Sequence, residues 1–306
     1  MSEHPLHPAA EQVLGMVPAW SPAELVAALA DQVAGVTAGL AARFASWADS
    51  PAAPVDTGVL LAAADREADH LGSYYIRCEH LLLGMQRVLG AGDAEAGASL
   101  AAARADFHWL KCEQAFGEYL KLRPAPRPDG ASRPCAVVLG GVPGTGKSTL
   151  AEALGRELRA PVFSADWELG ALVPFGALRQ DNLEPLSELV LAAALARQLQ
   201  LGMDAILDGA LLRAEERRRL REIAERLGAA FVGVECLCSD REVQRSRVQG
   251  RVRGIPGWPA TVSWEHVQRM RERWEPWTEP HLVVDSAVQR PALIVRQVMD
   301  AINAGR

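Results

Sequence analysis

The chain of 306 residues lacks several features that would place it in a familiar class of protein. It has no apolar run of about 18 residues, the length that a membrane-spanning helix requires. Its first residues, MSEHPLHPAAEQ, lack the basic and apolar regions of a secretory signal. Its five cysteines are odd in number and do not have metal-ligand spacing. We therefore expect a cytoplasmic protein with reduced thiols and no membrane partner.

Positive charge is also scarce. Residues 1–124 contain 15 Asp and Glu against 8 Lys and Arg, whereas residues 125–306 contain 23 against 24. Neither part has the basic excess of a nucleic-acid groove, so nucleic acid is not an expected partner. Only Lys111, Lys121 and Lys147 are lysines. After residue 121, the chain has many arginines but no lysine except Lys147. The lysine at this position therefore indicates a need for a compact ammonium.

A proline-rich stretch, KLRPAPRPDGASRP, divides the chain. We predict a linker at 123–134 between a domain of residues 1–122 and a domain of residues 135–306. The first domain is rich in alanine and leucine at helical spacing, which predicts an all-α fold. Ser21 and Glu24 predict the start of one of its helices as a capping box.

Short apolar runs alternate with helical segments after the linker. Five such runs predict strands, and they read CAVVLG, PVFSA, AILDG, AFVGVECL and HLVVDS. Continuous apolar strands with helical crossovers predict an α/β fold, with a five-stranded parallel sheet covered by helices on both faces. Ligands of such sheets bind at the carboxyl ends of the strands.

A glycine-rich segment follows the first of these strands and precedes a helix. It matches the phosphate-loop pattern G-x-x-x-x-G-K-[ST], whose backbone N–H groups hold the phosphates of a nucleotide. Lys147 is expected to reach the β- and γ-phosphates, and Ser148 with Asp208 to bind Mg²⁺. The alternatives are a turn that binds nothing and a helix-capping role for Asp208. The expected nucleotide-binding residues are Gly141, Val142, Pro143, Gly144, Thr145, Gly146, Lys147, Ser148 and Thr149.

Two further features indicate a reaction. Asp166 follows the second strand, where a carboxylate can accept a proton from a substrate hydroxyl; its alternative role is a helix cap. The segment SDREVQRSRVQGRVRG supplies arginines for a lid that closes over a transferring phosphoryl group. Arg247 and Arg251, four residues apart, are predicted to share one helical face, and Arg253 is a further candidate. The alternative is a solvated, charged helix face.

Three other side chains are candidates for substrate or lid contacts. Arg213 and Arg217 follow the third strand, and Trp167 is adjacent to Asp166. The tryptophans suggest an apolar or planar acceptor, and core packing explains some of them equally well. These residues are Trp167, Trp258, Trp264, Trp274 and Trp277.

Residues 135 to about 303 resemble the small P-loop kinases of the zeta-toxin, chloramphenicol-phosphotransferase and polynucleotide-kinase type, a group with AAA-like ATP-binding domains. The resemblance implies ATP and Mg²⁺ as cofactors, Asp166 as the base, and Arg247 and Arg251 as lid arginines. It also implies that DSAVQRP lies near the adenine. Because Trp167 follows Asp166 here, the resemblance implies no acceptor contacts. The matching segments are GGVPGTGKSTLAEAL, FSADW, ILDGALLRAEERRRL, RSRVQGR, RERWEPW and LVVDS.

The stretch AADREADHLGSYYIRCEHLLLGMQRV resembles one repeat of the N-terminal domain of Clp-type unfoldases. Only residues 58–105 match, whereas that family has two repeats. Three roles remain open: a docking module for a protein partner, a surface for self-association, or a wall of the acceptor pocket. We expect Glu79 and His80 to fix a helix start rather than bind metal. Four aromatic residues are expected in the core: Tyr74, Tyr75, Phe107 and Trp109.

The sequence thus predicts a kinase that transfers the γ-phosphoryl group of ATP to a hydroxyl of a small molecule. The acceptor is expected to be a metabolite, a nucleotide sugar or an antibiotic. The competing hypothesis is a nucleotide-dependent binding module whose helical domain docks a protein partner. A bare ATPase ranks last, because no second acidic residue or glutamine follows Asp208 to position water.

Overall fold

The molecule divides into two compact units. The first comprises Met1–Gln114 with Arg179–Asn182, and the second comprises Ala115–Leu178 with Leu183–Arg306. The domain boundaries at 122 and 135 remain predictions. The computed structural model describes residues 4–15, 17–30, 44, 52–91, 94–126, 130 and 132–306.

Helices dominate the described part of the first unit. They are α1 (Pro8–Leu14), α2 (Pro22–Ala30), α3 (Thr57–His70), α4 (Cys78–Leu89) and α5 (Ala94–Tyr119). Two short strands, β1 (Ala19–Trp20) and β2 (Val55–Asp56), pair in antiparallel fashion. The all-α prediction missed this ladder, because strands of two residues leave no periodic signal. The Clp-type resemblance of this unit remains a prediction.

Two of the local predictions for this unit are confirmed. Ser21 and Glu24 form the capping box: Ser21 N donates to Glu24 Oε2 at 2.9 Å and Glu24 N to Ser21 Oγ at 3.2 Å. His80 fixes the start of α4, because its Nδ1 accepts a hydrogen bond from Arg77 N at 2.9 Å. Among the described residues, no group of three or more His, Cys, Asp and Glu side chains is arranged so that it could hold a metal ion.

The predicted burial of the aromatic residues is only partly correct. Phe107 is buried and Trp109 is half-buried, but Tyr74 is 74% exposed and Tyr75 is 38% exposed. Both tyrosines lie in the turn between α3 and α4, where their rings contact each other at 4.9 Å between centroids. A turn presents its side chains to solvent, so the local apolar pattern was misleading at this point.

A buried ion triad joins α3, α4 and α5. Glu67 is completely buried and accepts hydrogen bonds from Arg87 Nε at 2.6 Å and from Arg104 Nε at 2.8 Å. Burial alone would raise the pKa of Glu67, but the hydrogen bonds from the two guanidiniums outweigh it and hold the pKa below its ordinary value. The carboxylate therefore stays charged inside the unit, and its removal would leave two arginines without their partner.

We predict that Glu67→Gln lowers the free energy of unfolding of the first unit by about 3 kcal/mol, since a broken buried pair leaves an uncompensated charge. Urea unfolding of the full chain, followed by circular dichroism, measures the loss. Glu118→Gln is the matched control, because Glu118 pairs with Lys121 on the exposed surface. Equal stability of the two variants would contradict the structural role of the triad.

The second unit contains one parallel sheet. Its strands are β3 (Cys135–Gly140), β4 (Val162–Ser164), β5 (Ala205–Asp208), β6 (Ala230–Leu237) and β7 (Leu282–Asp285). Their spatial order is β4-β5-β3-β6-β7, and every neighbouring pair is parallel. All five predicted strands are confirmed. In the described part of the chain, no helix is both long and apolar enough to cross a membrane.

Helices cover both faces of this sheet, as predicted. They are α6 (Lys147–Leu158), α7 (Ala165–Gly170), α8 (Leu183–Gln200), α9 (Ala214–Arg226), α10 (Arg241–Gln249), α11 (Trp264–Glu272) and α12 (Pro291–Gly305). On one face, alternate strand residues such as Val137, Ile206 and Val234 form a core with residues of α6 and α12. The other face contacts α8 and α9. The carboxyl ends of all five strands therefore meet at one edge, where the candidate site lies.

Candidate active site

The phosphate loop connects β3 to α6. Gly141, Gly144 and Gly146 have φ angles of +149°, +84° and +89°, a region that other residues rarely adopt. At Gly141, a Cβ atom would lie 2.2 Å from the carbonyl oxygen of Cys236 on β6, so any side chain is excluded there. A tight glycine-rich turn at a helix N-terminus is a ready-made site for phosphate.

Lys147 lies within this loop. Its Nζ donates to the carbonyl oxygen of Val142 at 3.1 Å, and Thr145 Oγ1 donates to the same oxygen at 2.9 Å. Burial lowers the pKa of Lys147, and the negative charges of Asp208 and Asp166 oppose that shift. Lys147 is half-buried, and its charge interacts electrostatically with both candidate carboxylates.

Two cavities open at this edge of the sheet. The first has a volume of about 770 Å³ and is lined by residues 143–146 of the phosphate loop and by Thr149, with Arg247, Ser286 and Gln289 among its other lining residues. Its volume falls within the usual range for small-molecule sites. We call it the nucleotide cavity, because the phosphate loop lines it.

The second cavity has a volume of about 480 Å³. It brings together most of the remaining candidates: Ser148, Asp166, Trp167, Asp208, Arg251 and Arg253. We call it the acceptor cavity. Arg251 and Arg253 line both cavities. The two arginines therefore lie at the junction between the nucleotide cavity and the acceptor cavity.

Asp166 lies in the first turn of α7. Its Oδ2 accepts a hydrogen bond from Arg253 Nη1 at 2.6 Å. Burial raises the pKa of Asp166, and Arg253 partly opposes this shift. The alternative role as a helix cap is not observed, because Ser164 is the N-cap residue of α7. Asp166 is thus a carboxylate at a cavity wall, with a cation as its partner.

Asp208 is the last residue of β5 and is buried. It does not cap the next helix, since α9 begins only at Ala214 and its N-cap is Arg213. Ser148 and Asp208 therefore offer one hydroxyl and one carboxylate oxygen to the same cavity. Mg²⁺ in nucleotide sites takes one or two such protein oxygens, with phosphate and water as its other ligands. These two residues fit that role.

The predicted arrangement of the lid arginines is partly wrong. Arg247 and Arg251 do not share a helical face, because α10 ends at Gln249 and Gly250 follows as its C-cap. Glycine at this position commonly ends a helix. Arg247 Nη1 donates to Ser286 Oγ at 2.7 Å and its Nη2 to Ser286 O at 3.1 Å. Arg247 therefore joins α10 to the loop after β7, whereas Arg251 faces both cavities.

Arg217 is a core residue rather than a substrate contact. It is 1% exposed, and its guanidinium donates to the carbonyl oxygens of Leu211 at 2.6 Å and Glu275 at 2.6 Å. The ring centroids of Trp274 and Trp277 lie 5.1 and 4.9 Å from the guanidinium carbon. Arg217 does not line either cavity, and these contacts give it a packing role.

Arg213 and most of the tryptophans also lie outside the two cavities. Arg213 Nη2 donates to the buried carboxylate of Glu188 at 2.6 Å. Among the five tryptophans, Trp167 alone lines the acceptor cavity, and its side chain is 56% exposed. Of the tryptophans that suggested an apolar or planar acceptor, only Trp167 is therefore placed to contact a molecule in the acceptor cavity.

Sequence reasoning missed Gln244. This residue is completely buried on α10, and its Nε2 donates to the carbonyl oxygen of Pro143 in the phosphate loop at 2.7 Å. Arg271 of α11 donates to its Oε1. Gln244 precedes the buried Val248 by four residues, so its place on the inner helical face was visible in the spacing. It links α10 and α11 to the phosphate loop.

We predict that Gln244→Met weakens the binding of a non-hydrolysable ATP analogue by roughly 10-fold, since the loss leaves a loop carbonyl and a guanidinium without their partner. Isothermal titration calorimetry measures the change. Gln249→Met, an exposed position on the same helix, is the control. Equal affinities of the two variants would show that this link does not shape the loop.

Comparison with known proteins finds a similarity to one family model. Residues 137–277 match the family model of an AAA domain. This segment begins in β3 and includes the phosphate loop, Asp166, Asp208 and the lid arginines. No curated protein matches the chain.

Solved structures of kinases are similar to this chain. A putative kinase from Chloroflexus aurantiacus has 22% identity and a TM-score of 0.47, over 58% of this chain and 100% of that one. A gluconokinase from Sinorhizobium meliloti has 24% identity and a TM-score of 0.42, over 56% and 93%. The protein Kti12 from Chaetomium thermophilum, in complex with ADP-AlF3, has 19% identity and a TM-score of 0.45, over 56% and 98%. The similarity of residues 137–277 to an AAA domain rests on the family model, and in this chain that segment contains the whole phosphate-loop pattern.

Proposed function

We propose that the second unit is an ATP- and Mg²⁺-dependent kinase that transfers the γ-phosphoryl group to a hydroxyl of a small molecule. The observation that supports it best is the acceptor cavity, which adjoins the nucleotide cavity through Arg251 and Arg253 and has Asp166 on its wall. Hydrolysis needs room for one water only, whereas this cavity of about 480 Å³ has room for a small organic molecule.

Asp166 is the proposed base. Its carboxylate accepts the proton of the acceptor hydroxyl while the hydroxyl oxygen forms a bond to the γ-phosphorus. The bond between that phosphorus and the bridging oxygen breaks, and its electron pair leaves with ADP. Such a base chiefly aligns and deprotonates the nucleophile in a largely dissociative transfer.

The cations around the site stabilise the transferring group. Lys147 contacts the phosphates from the loop, and Arg251 and Arg253 lie between the cavities, where guanidiniums can stabilise negative charge on the equatorial oxygens. Ser148 and Asp208 would hold Mg²⁺, and the ion would supply neutralisation of phosphate charge. Arg247 shapes the nucleotide cavity through Ser286.

The acid limb of the pH profile of kcat/KM tests the base. Asp166 acts as a carboxylate, so the rate falls as the pH drops through its pKa, which burial raises above the ordinary value for aspartate. Since Arg253 lowers this pKa, Arg253→Met is expected to move the limb to higher pH. Arg296→Met, an exposed substitution on α12, is the control. A limb that stays in place in Arg253→Met would argue against Asp166 as the titrating group.

Acceptor-stimulated formation of ADP tests the proposed activity. Wild-type protein with Mg-ATP should release ADP faster when a hydroxyl compound that fits the acceptor cavity is added. ADP release that no acceptor changes would favour the bare ATPase. ATP binding without turnover would favour a nucleotide-dependent binding module.

The proposal also includes a cellular location for the protein and a role for the first unit. We place the protein in the cytoplasm, which agrees with five cysteines that are all free and buried. The first unit is proposed to dock a protein partner or a second copy of the chain. Pull-down with the full-length protein, with and without ATP, tests that role.

A further inference from the structure

The acceptor cavity has a base that is already paired. Asp166 Oδ2 lies 2.6 Å from Arg253 Nη1, and the Arg253 side chain is only 13% exposed. The backbone N of Arg253 donates to Ala260 O at 2.7 Å, which holds the loop that carries this arginine. The Asp166 side chain is 35% exposed, so an acceptor hydroxyl can approach Oδ2, where it meets a charge-assisted hydrogen bond from a mostly buried guanidinium.

A neutral hydroxyl replaces this bond poorly. It would displace a guanidinium from a carboxylate and leave the mostly buried Arg253 without a counterion, which is costly. An anionic group can accept hydrogen bonds from the same guanidinium, often in bidentate geometry. The new ion pair is then of the same type as the pair with Asp166 that it replaces. Exchange of one ion pair for another frees the Asp166 oxygen for the hydroxyl without isolating a charge.

A second cation faces the same cavity. Arg251 lines it, is exposed, and makes no ion pair with any residue that the structure describes. Its positive charge acts on the Asp166 carboxylate from within the cavity. The cavity therefore presents two guanidiniums to an incoming molecule, and Trp167 beside them offers an exposed apolar face.

We propose that the acceptor is an anionic hydroxy compound whose carboxylate, phosphate or sulfate group takes Arg253 from Asp166. This inference rests on the proposed kinase function. The acceptor's own charge releases Oδ2, so binding of the correct acceptor and exposure of that oxygen are one event. The hydroxyl that receives the phosphoryl group then donates its hydrogen bond to the released carboxylate oxygen. A molecule without a negative charge leaves the ion pair in place and is limited to the second carboxylate oxygen, Oδ1.

Matched acceptor pairs test the proposal. Sugars are compared with the corresponding aldonic acids and sugar phosphates, and nucleosides with their 5′-phosphates and 5′-phosphosulfates, by ADP release from Mg-ATP. The anionic members are expected to exceed their neutral partners in kcat/KM by roughly 10-fold or more, the range of a hydrogen bond to a charged group. The three anion types separate carboxylate, phosphate and sulfate as the recognised group.

Variants of Arg253 test whether this residue recognises the negative charge of the acceptor. Arg253→Gln should lower the ratio of anionic to neutral kcat/KM by roughly 10-fold, whereas Arg253→Lys keeps the charge but not the bidentate geometry and should retain only part of that ratio. Arg296→Gln is the matched surface control. Thermal unfolding of each variant distinguishes loss of recognition from loss of fold.

The outcomes separate this inference from the function on which it rests. Transfer to neutral and anionic acceptors at equal kcat/KM, or an unchanged ratio in Arg253→Gln, would overturn the anionic acceptor and leave the kinase intact. Absence of transfer to every member of the panel would overturn the kinase and the inference together. A ratio that falls only in Arg253→Gln would establish both.

Discussion

Replacing Asp166 with asparagine is expected to reduce phosphoryl transfer by roughly 10²- to 10⁴-fold, the usual contribution of a positioned general base. The amide has nearly the same shape and can still accept a hydrogen bond from Arg253, but it cannot take the proton of the acceptor hydroxyl. The affinity for ATP should be retained, because Asp166 lines the acceptor cavity and not the nucleotide cavity. Single-turnover transfer and calorimetric ATP binding measure the two quantities separately.

Asp300→Asn provides the matched control for this experiment, since Asp300 is exposed on α12. It should transfer at the wild-type rate. If Asp166→Asn retained full transfer, the proton would have to leave by another route, and the acceptor cavity would lose its proposed base. If ATP binding were lost as well, Asp166 would be part of the nucleotide site instead.

Replacing Lys147 with methionine is the second large effect. We expect transfer to fall by roughly 10²- to 10³-fold, the loss typical of one donor aimed at developing charge. ATP binding should weaken too, because the proposed contact of the ammonium with the phosphates is also made in the ground state. Lys147→Arg should not restore full activity, since a planar guanidinium differs from a compact ammonium in size and geometry.

Lys121→Met is the control for Lys147, because Lys121 is exposed and its partner is Glu118. Equilibrium binding of ATP and single-turnover transfer should both match the wild type in this control. A Lys147→Met protein that binds and transfers normally would show that the loop carbonyl contact of Lys147 is merely structural.

The architecture of the second unit was predictable because its signals are local. Each strand is a continuous apolar run, and the phosphate loop is a fixed pattern that forces glycine where the backbone approaches Cys236. The positions of Asp166 and Asp208 follow from these elements, since side chains after parallel strands meet at one edge of the sheet. The sequence therefore placed Asp166 and Asp208 at the edge of the sheet that forms the candidate site.

What the sequence did not predict depends on long-range contacts. Arg217 resembles other arginines of α9 in charge pattern, yet it donates to carbonyls near residue 275 and stacks on two tryptophans. Arg251 lies outside α10, because this helix ends at Gln249 and Gly250 is its C-cap residue. The pairing of Arg253 with Asp166 joins residues 87 positions apart, which no local pattern encodes.

The measurement that tests the central claim most directly is mass spectrometry of small molecules incubated with the protein and Mg-ATP. Pooled hydroxyl-bearing metabolites, nucleotides and antibiotics are the acceptors, and Asp166→Asn is the parallel control. The account predicts at least one compound that gains a phosphoryl group with the wild type and not with the variant. ATP binding without any such product, and without acceptor-stimulated ADP, would contradict the kinase and favour a nucleotide-dependent binding module.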